Sequence, residues 1–346
     1  MVNVRIGMIG SGYMGLTYSE AIAKHVKGAT LTAVAGGSRA RELGMSYGVP
    51  AEKSVEALIA RPDVDAVIIT SPDQNHCEQT VQAAAKGKHV LAEKPMAPNV
   101  KRCDEMIEAC RKAGVNLAIV KTERYRPITR LVKKMIDEGA IGEIHMMRTV
   151  SVYPISLGAN ILETRPFYKD PASGGLFMSI ACHNADFLFW LTGLKAKQVY
   201  AQANTYSDLK TPDQSVMAQI RYENGVMGDM WISSEFPAPS LPSSEVRFQI
   251  VGSKGIMDFE NYEFLDVTRG DKWERVFVPK RFDYLNDPKS PIRLEPHIGV
   301  VQEFVDSVAE KRAPKVGGDA GRAAVEICEA CQLSAKQQRA IDLPLK

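Results

Sequence analysis

The 346-residue sequence lacks the features that mark membrane proteins, secreted proteins and nucleic-acid-binding proteins. It has no apolar run near the roughly 20 residues that span a bilayer, and its first residues show no charged segment followed by an apolar core and a cleavage site. The net charge is only +2, which gives no electrostatic reason to expect a nucleic acid or a membrane surface as partner. We therefore expect a cytoplasmic protein with neither kind of partner.

Cysteine is also sparse, with six residues scattered along the chain. Without a secretory signal we expect them to be reduced. Cys328 and Cys331 form one C-x-x-C pair, but they lie in Gly321–Ser334, which has the pattern of an amphipathic helix and favours a buried pair of small side chains. A second pair of ligands is missing, so we predict no zinc site and no other metal site.

The length favours two domains, and the pattern of predicted elements changes at about residue 122. Residues 1–121 alternate short apolar strands with helices, which predicts a parallel sheet covered on both faces, an α/β domain. Clear examples are the strands Val4–Ile9 and Asp65–Thr70 and the helix Lys101–Ala113, with Asn99 as its cap and Gly114 as its stop.

Residues 122–346 begin with a helix after Pro127 and continue with long alternating stretches such as Ser215–Tyr222 and Phe264–Arg269. Glu223-Asn224-Gly225 is a hairpin signal between two of them. The pattern predicts a C-terminal α+β domain with a large, mostly antiparallel sheet. Two closing helices, at about residues 295–311 and 321–338, are expected to pack back toward the first domain.

A glycine motif, Gly10-Ser11-Gly12-Tyr13-Met14-Gly15, follows the first predicted strand. It opens a helix and begins a βαβ pattern, which is the context that a dinucleotide site requires. Gly10 permits a tight turn, Gly12 lets the backbone approach a pyrophosphate, and Gly15 lets the helix lie close to the strand. The free N–H groups of the helix then face the phosphates. The motif predicts a Rossmann dinucleotide-binding domain over residues 1–121.

The second strand of that domain lacks the carboxylate that binds the ribose 2′-hydroxyl in the NAD manner. It ends in Val34-Ala35-Gly36-Gly37-Ser38-Arg39. Without an acid there is no repulsion of a 2′-phosphate, and Ser38 and Arg39 supply a donor and a cation for it. We therefore favour NADP as the cofactor. The alternative is that Arg39 lies in a solvated first helical turn and that NAD is bound without the carboxylate.

Three further motifs follow in order: Ser71-Pro72-Asp73-Gln74-Asn75-His76, then Gly87-Lys88-His89-Val90-Leu91-Ala92-Glu93-Lys94-Pro95, then Gly174-Gly175 with His183 and Asp186. With the glycine motif and the closing helices, they resemble the glucose–fructose oxidoreductase/inositol dehydrogenase family, often called Gfo/Idh/MocA, over essentially the whole chain. The resemblance implies a nicotinamide cofactor, a sugar or cyclitol substrate, and a homodimer or homotetramer. It also implies that residues 122–346 are the substrate and oligomerisation domain.

Glu93-Lys94-Pro95 ends a strand at the carboxyl edge of the sheet, where open α/β sheets bind ligands. A lysine there can hydrogen-bond a reacting hydroxyl and stabilise the developing alkoxide, or polarise a carbonyl in the reverse direction. Taken alone, such a lysine is more often a solvated surface charge, and it is the resemblance that assigns Lys94 the catalytic role. We expect Glu93 to hold Lys94 and contact the nicotinamide side, and the Lys94–Pro95 bond to be cis.

His183 is the second catalytic candidate, in a segment with the pattern of a glycine turn entering a helix. Ser179, His183 and Asp186 are spaced i, i+4 and i+7, so they share one helix face. Histidine suits proton transfer near neutral pH, and a buried, satisfied histidine is the alternative. By resemblance, His183 is a general acid/base and Asp186 a structural carboxylate. Many sugar-oxidising members carry Asp where this chain has Ser179, a departure that indicates a different substrate geometry.

The motifs and the resemblance together imply two sets of binding residues. The cofactor set is Gly10, Gly12, Tyr13, Met14, Gly37, Ser38, Arg39, Ser71, Pro72, Asn75, His76, Glu93 and Lys94. The substrate set is Lys94, Glu123, Arg124, Tyr125, Tyr153, Arg165, Ser179, His183 and Asn184. Lys121 and Glu123 depart from the family pattern and are candidates for substrate specificity, and His297 is expected to reach the substrate cleft. Packing or surface roles are the alternative for the substrate residues outside the catalytic motifs.

We predict an NAD(P)-dependent oxidoreductase that acts on one secondary hydroxyl, or on the ketone, of a sugar, sugar derivative or cyclitol. One alternative is a redox-assisted lyase or glycosidase that reduces NAD(P) only transiently. Another is a non-catalytic dinucleotide-binding regulator. Because the open face of a large antiparallel sheet needs covering, a homo-oligomer built on that face is expected.

Overall fold

The computed structural model describes residues 3–208, 211–282 and 287–345. The chain divides into two compact units, of which the first comprises Met1–Tyr125 with Phe282–Arg322 and the second Arg126–Arg281 with Ala323–Lys346. No helix in the described ranges is both long enough and apolar enough to cross a membrane.

The first unit begins with alternating strands and helices. Up to Tyr125 they are β1 (Val4–Ile9), α1 (Tyr13–Lys24), β2 (Ala29–Ala35), α2 (Ala40–Tyr47), α3 (Val55–Ile59), β3 (Ala66–Ile69), α4 (His76–Ala85), β4 (His89–Ala92), α5 (Val100–Ala113) and β5 (Leu117–Ile119), with short 3-10 helices at Asp73–Asn75 and Thr122–Tyr125.

The described strands of this unit form a five-stranded sheet in the order β2-β1-β3-β4-β5, and every neighbouring pair is parallel. The predicted parallel sheet is confirmed. β3 is buried along its whole length, as expected for a strand covered by helices on both faces. Because parallel strands all end at one edge, the turns after β1, β3 and β4 lie at the same edge of the sheet.

The remaining elements follow in chain order. They are α6 (Pro127–Asp137), β6 (Ile144–Pro154), α7 (Ile155–Thr164), α8 (Gly175–Thr192), β7 (Ala196–Asn204), β8 (Ser215–Tyr222), β9 (Met227–Phe236), β10 (Arg247–Gly252), β11 (Ile256–Glu260), β12 (Phe264–Arg269), β13 (Lys272–Phe277), α9 (Pro291–Ala309), α10 (Gly318–Gln337) and β14 (Ile341–Asp342).

The second unit is built on one large sheet. Its nine strands within the described ranges run in the order β13-β12-β11-β10-β6-β9-β8-β7-β14. Neighbours are antiparallel except for β6 and β9, which are parallel. The predicted large, mostly antiparallel sheet is therefore confirmed. In β8, side chains alternate between buried and more exposed positions, so one face is packed and the other is open.

Helix α9 belongs to the first unit. Val300, Val301, Phe304 and Val305 join the same apolar cluster as β1 and α1. The helix begins at Pro291, where proline is favoured in the first turn. The segment before and within α9 thereby comes to lie against α1, the helix that follows the glycine motif.

Candidate active site

The turn between β1 and α1 carries the glycine motif. Gly10 has a φ of +105°, and a Cβ there would lie 2.4 Å from Oγ1 of Thr70. A Cβ on Gly15 would lie 2.2 Å from the carbonyl oxygen of Gly10, so the helix and the strand end are in close contact. Gly12, by contrast, is exposed, and a Cβ there would meet no heavy atom within 4 Å. Its backbone therefore borders open space.

This turn fits the pyrophosphate of a dinucleotide. Gly12 is the N-cap of α1, no side chain caps the helix, and its first turn has no acidic residue. The N–H groups and the positive end of the helix dipole are thus available to an anion over Gly12. Gly12, Tyr13 and Met14 are the residues that would hold such a group.

The end of β2 is held on the same turn. Gly37 has a φ of +79°, and the backbone N–H of Arg39 donates to Oγ of Ser11 at 3.1 Å. Ser38 and Arg39 are exposed, and no carboxylate lies between Gly36 and Arg39. The predicted 2′-phosphate residues therefore have a fixed backbone and solvent-accessible side chains.

His76, the first residue of α4, faces the protein interior. Its ring Nε2 lies 2.8 Å from the carbonyl oxygen of Ser71, and its Nδ1 lies 3.0 Å from the carbonyl oxygen of Pro95. The Ser71 hydroxyl donates to Oε1 of Gln79 at 2.6 Å. Helix α4 thereby holds the turn after β3 and contacts the turn after β4. The neighbouring predicted residues Pro72 and Asn75 are half-buried and exposed.

Lys94 follows β4, and its backbone is held by a buried carboxylate. Oε2 of Glu93 accepts a hydrogen bond from the Lys94 backbone N–H at 2.8 Å, and Oε1 accepts one from the Tyr18 hydroxyl at 2.6 Å. The Lys94–Pro95 bond is cis, as predicted. Tyr18 was not predicted. Its signal was a tyrosine on the buried face of α1, since a buried hydroxyl usually has a hydrogen-bond partner.

Arg293 on α9 is a second residue that sequence reasoning missed. Its guanidinium lies over the ring of Tyr13, with Cζ 4.5 Å from the ring centroid, and donates to Oγ1 of Thr17 at 3.0 Å and to the carbonyl of Pro288. Thr17 in turn donates to the carbonyl of Tyr13 at 2.9 Å. A buried arginine therefore holds the first turn of α1.

The segment Thr122–Tyr125 forms a 3-10 helix against α9. A Cβ on Gly299 of α9 would lie 2.7 Å from the Tyr125 ring, so the ring rests directly on the helix backbone. Lys121 and Glu123 are 2% and 5% exposed, which sets them apart from solvated surface charges, and Arg124 is half-buried. His297 packs its ring against Tyr18, with the centroids 5.8 Å apart.

His183 lies in the second unit, on α8, and is half-buried. One turn earlier, the buried Ser179 hydroxyl forms a 2.7 Å hydrogen bond with the hydroxyl of Tyr168. Asp186, one turn later, is buried. The predicted glycine turn entering a helix is confirmed, since α8 begins at Gly175. Tyr168, which sequence reasoning did not assign, gives Ser179 a fixed orientation.

The other predicted residues of this unit have protein contacts. The Asn184 side chain donates to the hydroxyls of Thr149 and Ser151 on β6, at 2.5 and 3.0 Å, and so anchors α8 to the sheet. The Tyr153 hydroxyl donates to the carbonyl of Glu245 at 2.9 Å. Arg165 is half-buried after α7.

The described residues contain no group of three or more His, Cys, Asp and Glu side chains placed to hold a metal ion. Cys328 and Cys331 are both buried in α10.

Two protein-family models match the chain, one in its N-terminal part and one in its C-terminal part. The family model described as "Oxidoreductase family, NAD-binding Rossmann fold" matches residues 4–121, and the "GFO/IDH/MocA C-terminal domain" matches residues 129–258. The chain belongs to the Gfo/Idh/MocA family. Residues 4–121 of this Gfo/Idh/MocA protein thus form an NAD-binding Rossmann fold.

The chain is also similar to individual proteins of known activity or structure. Myo-inositol 2-dehydrogenase of Thermotoga maritima is 27% identical over 98% of this chain and 98% of its own. The 1,5-anhydro-D-fructose reductase of Ensifer adhaerens is 33% identical over 64% of this chain and 63% of its own. The structure of a levoglucosan dehydrogenase in complex with NADH and L-sorbose has a TM-score of 0.84 at 23% identity, and covers 99% of this chain and 100% of its own. That likeness confirms the predicted fold.

Proposed function

We propose that the protein is an NAD(P)-dependent oxidoreductase that interconverts a secondary hydroxyl and a ketone on a sugar, sugar derivative or cyclitol. The observation that carries the proposal lies in the first unit, where the open space over Gly12 and the lysine after β4 are both at the carboxyl edge of one parallel sheet. The relatives reported above, an inositol dehydrogenase and a sugar reductase, act on substrates of this class. They do not favour the lyase or the regulator alternative.

Lys94 and His183 are assigned the proton chemistry. A bound nicotinamide dinucleotide supplies the acceptor or donor of hydride. In oxidation, the secondary alcohol loses a hydride from carbon and a proton from oxygen. Lys94 hydrogen-bonds that oxygen and stabilises the developing negative charge, and His183 takes up the proton as general base. In reduction, the same groups polarise the carbonyl and return the proton.

The remaining residues bind and orient. Residues 1–121 serve the cofactor through Gly10, Gly12, Tyr13, Met14, Ser71, Pro72, Asn75 and Glu93, and residues 122–346 serve the substrate through Glu123, Arg124, Tyr125, Tyr153, Arg165, Ser179 and Asn184. We place the enzyme in the cytoplasm.

The direct test is a panel of inositols, pyranoses and anhydrosugars incubated with NAD or NADP, with reduced cofactor followed by absorbance and product by mass spectrometry. Lys94→Met should lower kcat by about a hundredfold or more and leave the dissociation constant for NADH within about twofold. Lys101→Met is the matched control, because it removes an exposed lysine of the same unit. It should leave both quantities unchanged.

The two alternatives give different results in this assay. A redox-assisted lyase would form product without net change in NAD(P)H. A regulator would bind NADH tightly and turn over no member of the panel, and Lys94→Met would then change nothing. Either result would overturn the proposed function.

NADP is the proposed cofactor, on the ground that Ser38 and Arg39 stand where NAD enzymes carry an acid. Arg39→Ala should weaken NADPH binding about tenfold and leave NADH binding unchanged, as measured by fluorescence titration. Lys53→Ala, which removes an exposed charge elsewhere in the same unit, should affect neither. Tighter binding of NADH than NADPH by the unmodified protein would contradict the assignment.

A second copy of this chain is the proposed cover for the open sheet face. Met217 and Met227 are 55% and 57% exposed on that face. Tyr200 lies near both, and the Arg148–Asp229 ion pair lies near Met227. Light scattering should find a dimer or tetramer that Met217→Glu with Met227→Glu dissociates. Met45 of the first unit, which is 75% exposed, provides the control, Met45→Glu. A monomeric unmodified protein would contradict this proposal.

A further inference from the structure

His76 contacts two loops that the proposed function uses for different purposes. Its side chain is 1% exposed. Nε2 faces the carbonyl oxygen of Ser71, in the turn after β3 assigned to the cofactor, and Nδ1 faces the carbonyl oxygen of Pro95, directly after Lys94. Both ring nitrogens are therefore turned to the backbone, which leaves neither of them for a direct bond to the nucleotide.

The two carbonyls belong to turns that follow neighbouring parallel strands, β3 and β4. No backbone hydrogen bond joins Ser71 to Pro95 among those of the described residues. Other contacts hold each turn at a different point, with Gln79 bonded to the Ser71 hydroxyl and Glu93 bonded to the Lys94 backbone N–H. The imidazole thus bridges Ser71 and Pro95, two residues whose backbones share no hydrogen bond.

We propose that His76 is a positioning residue that ties the cofactor turn at Ser71 to the lysine turn at Pro95, and so sets the distance between nucleotide and Lys94. The inference rests on the proposed function, which assigns those roles to the two turns. It gives His76, which was predicted as a cofactor-binding residue, an indirect role at the cofactor site.

The contacts of the His76 ring with the Ser71 and Pro95 carbonyls can be removed one at a time by substitution. A carbonyl oxygen only accepts, a neutral imidazole donates from one nitrogen, and an imidazolium donates from both. The amide nitrogen of an asparagine lies near the position of Nδ1, and that of a glutamine lies near the position of Nε2. His76→Asn therefore retains a donor toward Pro95, and His76→Gln retains a donor toward Ser71.

The experiment compares His76→Asn, His76→Gln and His76→Leu by kcat on the best substrate of the panel and by the dissociation constant for NADH. We expect His76→Asn to keep kcat within about twofold and to weaken NADH binding about fivefold, because it loses the Ser71 tie. His76→Gln should keep the NADH affinity and lower kcat about tenfold. His76→Leu should show both losses.

Thr80→Val is the matched control. Thr80 lies one turn further along α4, is fully buried, and its hydroxyl has no hydrogen-bond partner among the described residues. The substitution keeps the shape and should leave kcat, NADH affinity and melting temperature unchanged.

A purely structural role gives a different pattern. In one such pattern, all three His76 variants lower the melting temperature and leave kcat and NADH affinity at the Thr80→Val level. In the other, His76→Asn and His76→Gln change kcat and NADH affinity to the same extent. Either result overturns the inference. If the unmodified protein turns over no substrate, the proposed function fails. The dissociation constants for NADH then decide the inference, since His76→Asn should weaken NADH binding and His76→Gln should not.

Discussion

The Tyr18 hydroxyl donates a 2.6 Å hydrogen bond to Oε1 of Glu93, and both side chains are buried. Burial raises the pKa of Tyr18 well above its usual value, and the charge of Glu93 and the hydrogen bond to it raise the pKa further. Tyr18 therefore keeps its proton and remains a donor at neutral pH. Because the other oxygen of Glu93 binds the Lys94 backbone, α1 positions the proposed catalytic lysine.

Tyr18→Phe should disturb Lys94 through Glu93. It removes one hydrogen bond from a buried carboxylate, so the free energy of unfolding should fall by about 1–3 kcal/mol. A looser Glu93 leaves the Lys94 backbone less well fixed, and kcat should fall about tenfold. Chemical denaturation and steady-state kinetics measure the two effects.

Tyr47→Phe is the control for the loss of a tyrosine–carboxylate bond. The Tyr47 hydroxyl donates to Glu20 at the same distance, 2.6 Å, in the same unit. This variant should lose some stability and keep kcat. If Tyr18→Phe behaves in the same way, Tyr18 has only a structural role.

Ser179→Asp should shift the pH dependence of the reaction. It places a carboxylate one helical turn before His183, where a negative charge favours the imidazolium. In the oxidative direction, the limb of the pH–rate profile that reports the base should move up by about one unit. Ser179→Ala, which loses the Tyr168 bond without adding charge, should leave that limb in place. An unmoved limb in Ser179→Asp would remove His183 from the role of base.

Arg293→Met should weaken the cofactor site. It removes the cation over Tyr13 and the donor to Thr17, so the first turn of α1 loses its support. NADH affinity should fall about tenfold, and Arg293→Lys should recover only part of it, since lysine lacks the planar fork. Arg322→Met provides the control by breaking an Arg322–Asp104 pair of the same unit. Equal NADH affinity in Arg293→Met and Arg322→Met would contradict the prediction.

Most of the fold could be predicted from the sequence because the signals that mark the ends of helices and strands lie within or next to those elements. β1, β8 and β12 have the predicted bounds. Helix α5 begins one residue before the predicted start, with Asn99 accepting from the Arg102 N–H and Gly114 in the left-handed conformation. Alternation and caps are properties of neighbouring residues, and they carry this information.

Two helices lacked such signals. Helix α3 has only five residues, Val55–Ile59, too few for a helical period to show. Helix α7 follows β6 directly at Pro154, with no polar loop between them to mark the change of pattern. The parallel pairing of β6 with β9 was equally hidden, because strand partners depend on tertiary packing.

The residues of the candidate site also fall into two groups, those that sequence motifs identify and those that only the tertiary structure reveals. Lys94 and His183 stand in motifs, and sequence alone identified them as candidates. Tyr18 and Arg293 act through partners 75 and 276 positions away. His76 was assigned to the cofactor because it belongs to a motif, whereas its contacts with two backbone carbonyls become visible only when β3 and β4 are side by side.

Glu260, in the second unit, makes the stability of the protein depend on pH. Its carboxylate is 1% exposed and accepts hydrogen bonds from the N–H groups of Val246 and Tyr262, at 2.9 and 2.7 Å. Burial raises the pKa of Glu260 to about 7, the two N–H groups lower it, and the nearby charges of Glu245 and Glu263 raise it. The folded protein therefore keeps a proton that the unfolded chain releases near pH 4.5.

Because the folded state binds more protons in this window, the free energy of unfolding should fall as the pH rises from about 5 to about 8, by up to about 3 kcal/mol from Glu260. Burial lowers the pKa of His89, and this histidine contributes with the opposite sign, since the unfolded chain binds its proton first. Urea denaturation at pH 5 and 8 of the unmodified protein and of Glu260→Gln isolates the carboxyl, because the His89 contribution is common to both. The unmodified protein should lose more stability between the two pH values than Glu260→Gln, and equal losses would mean that Glu260 is ionised throughout.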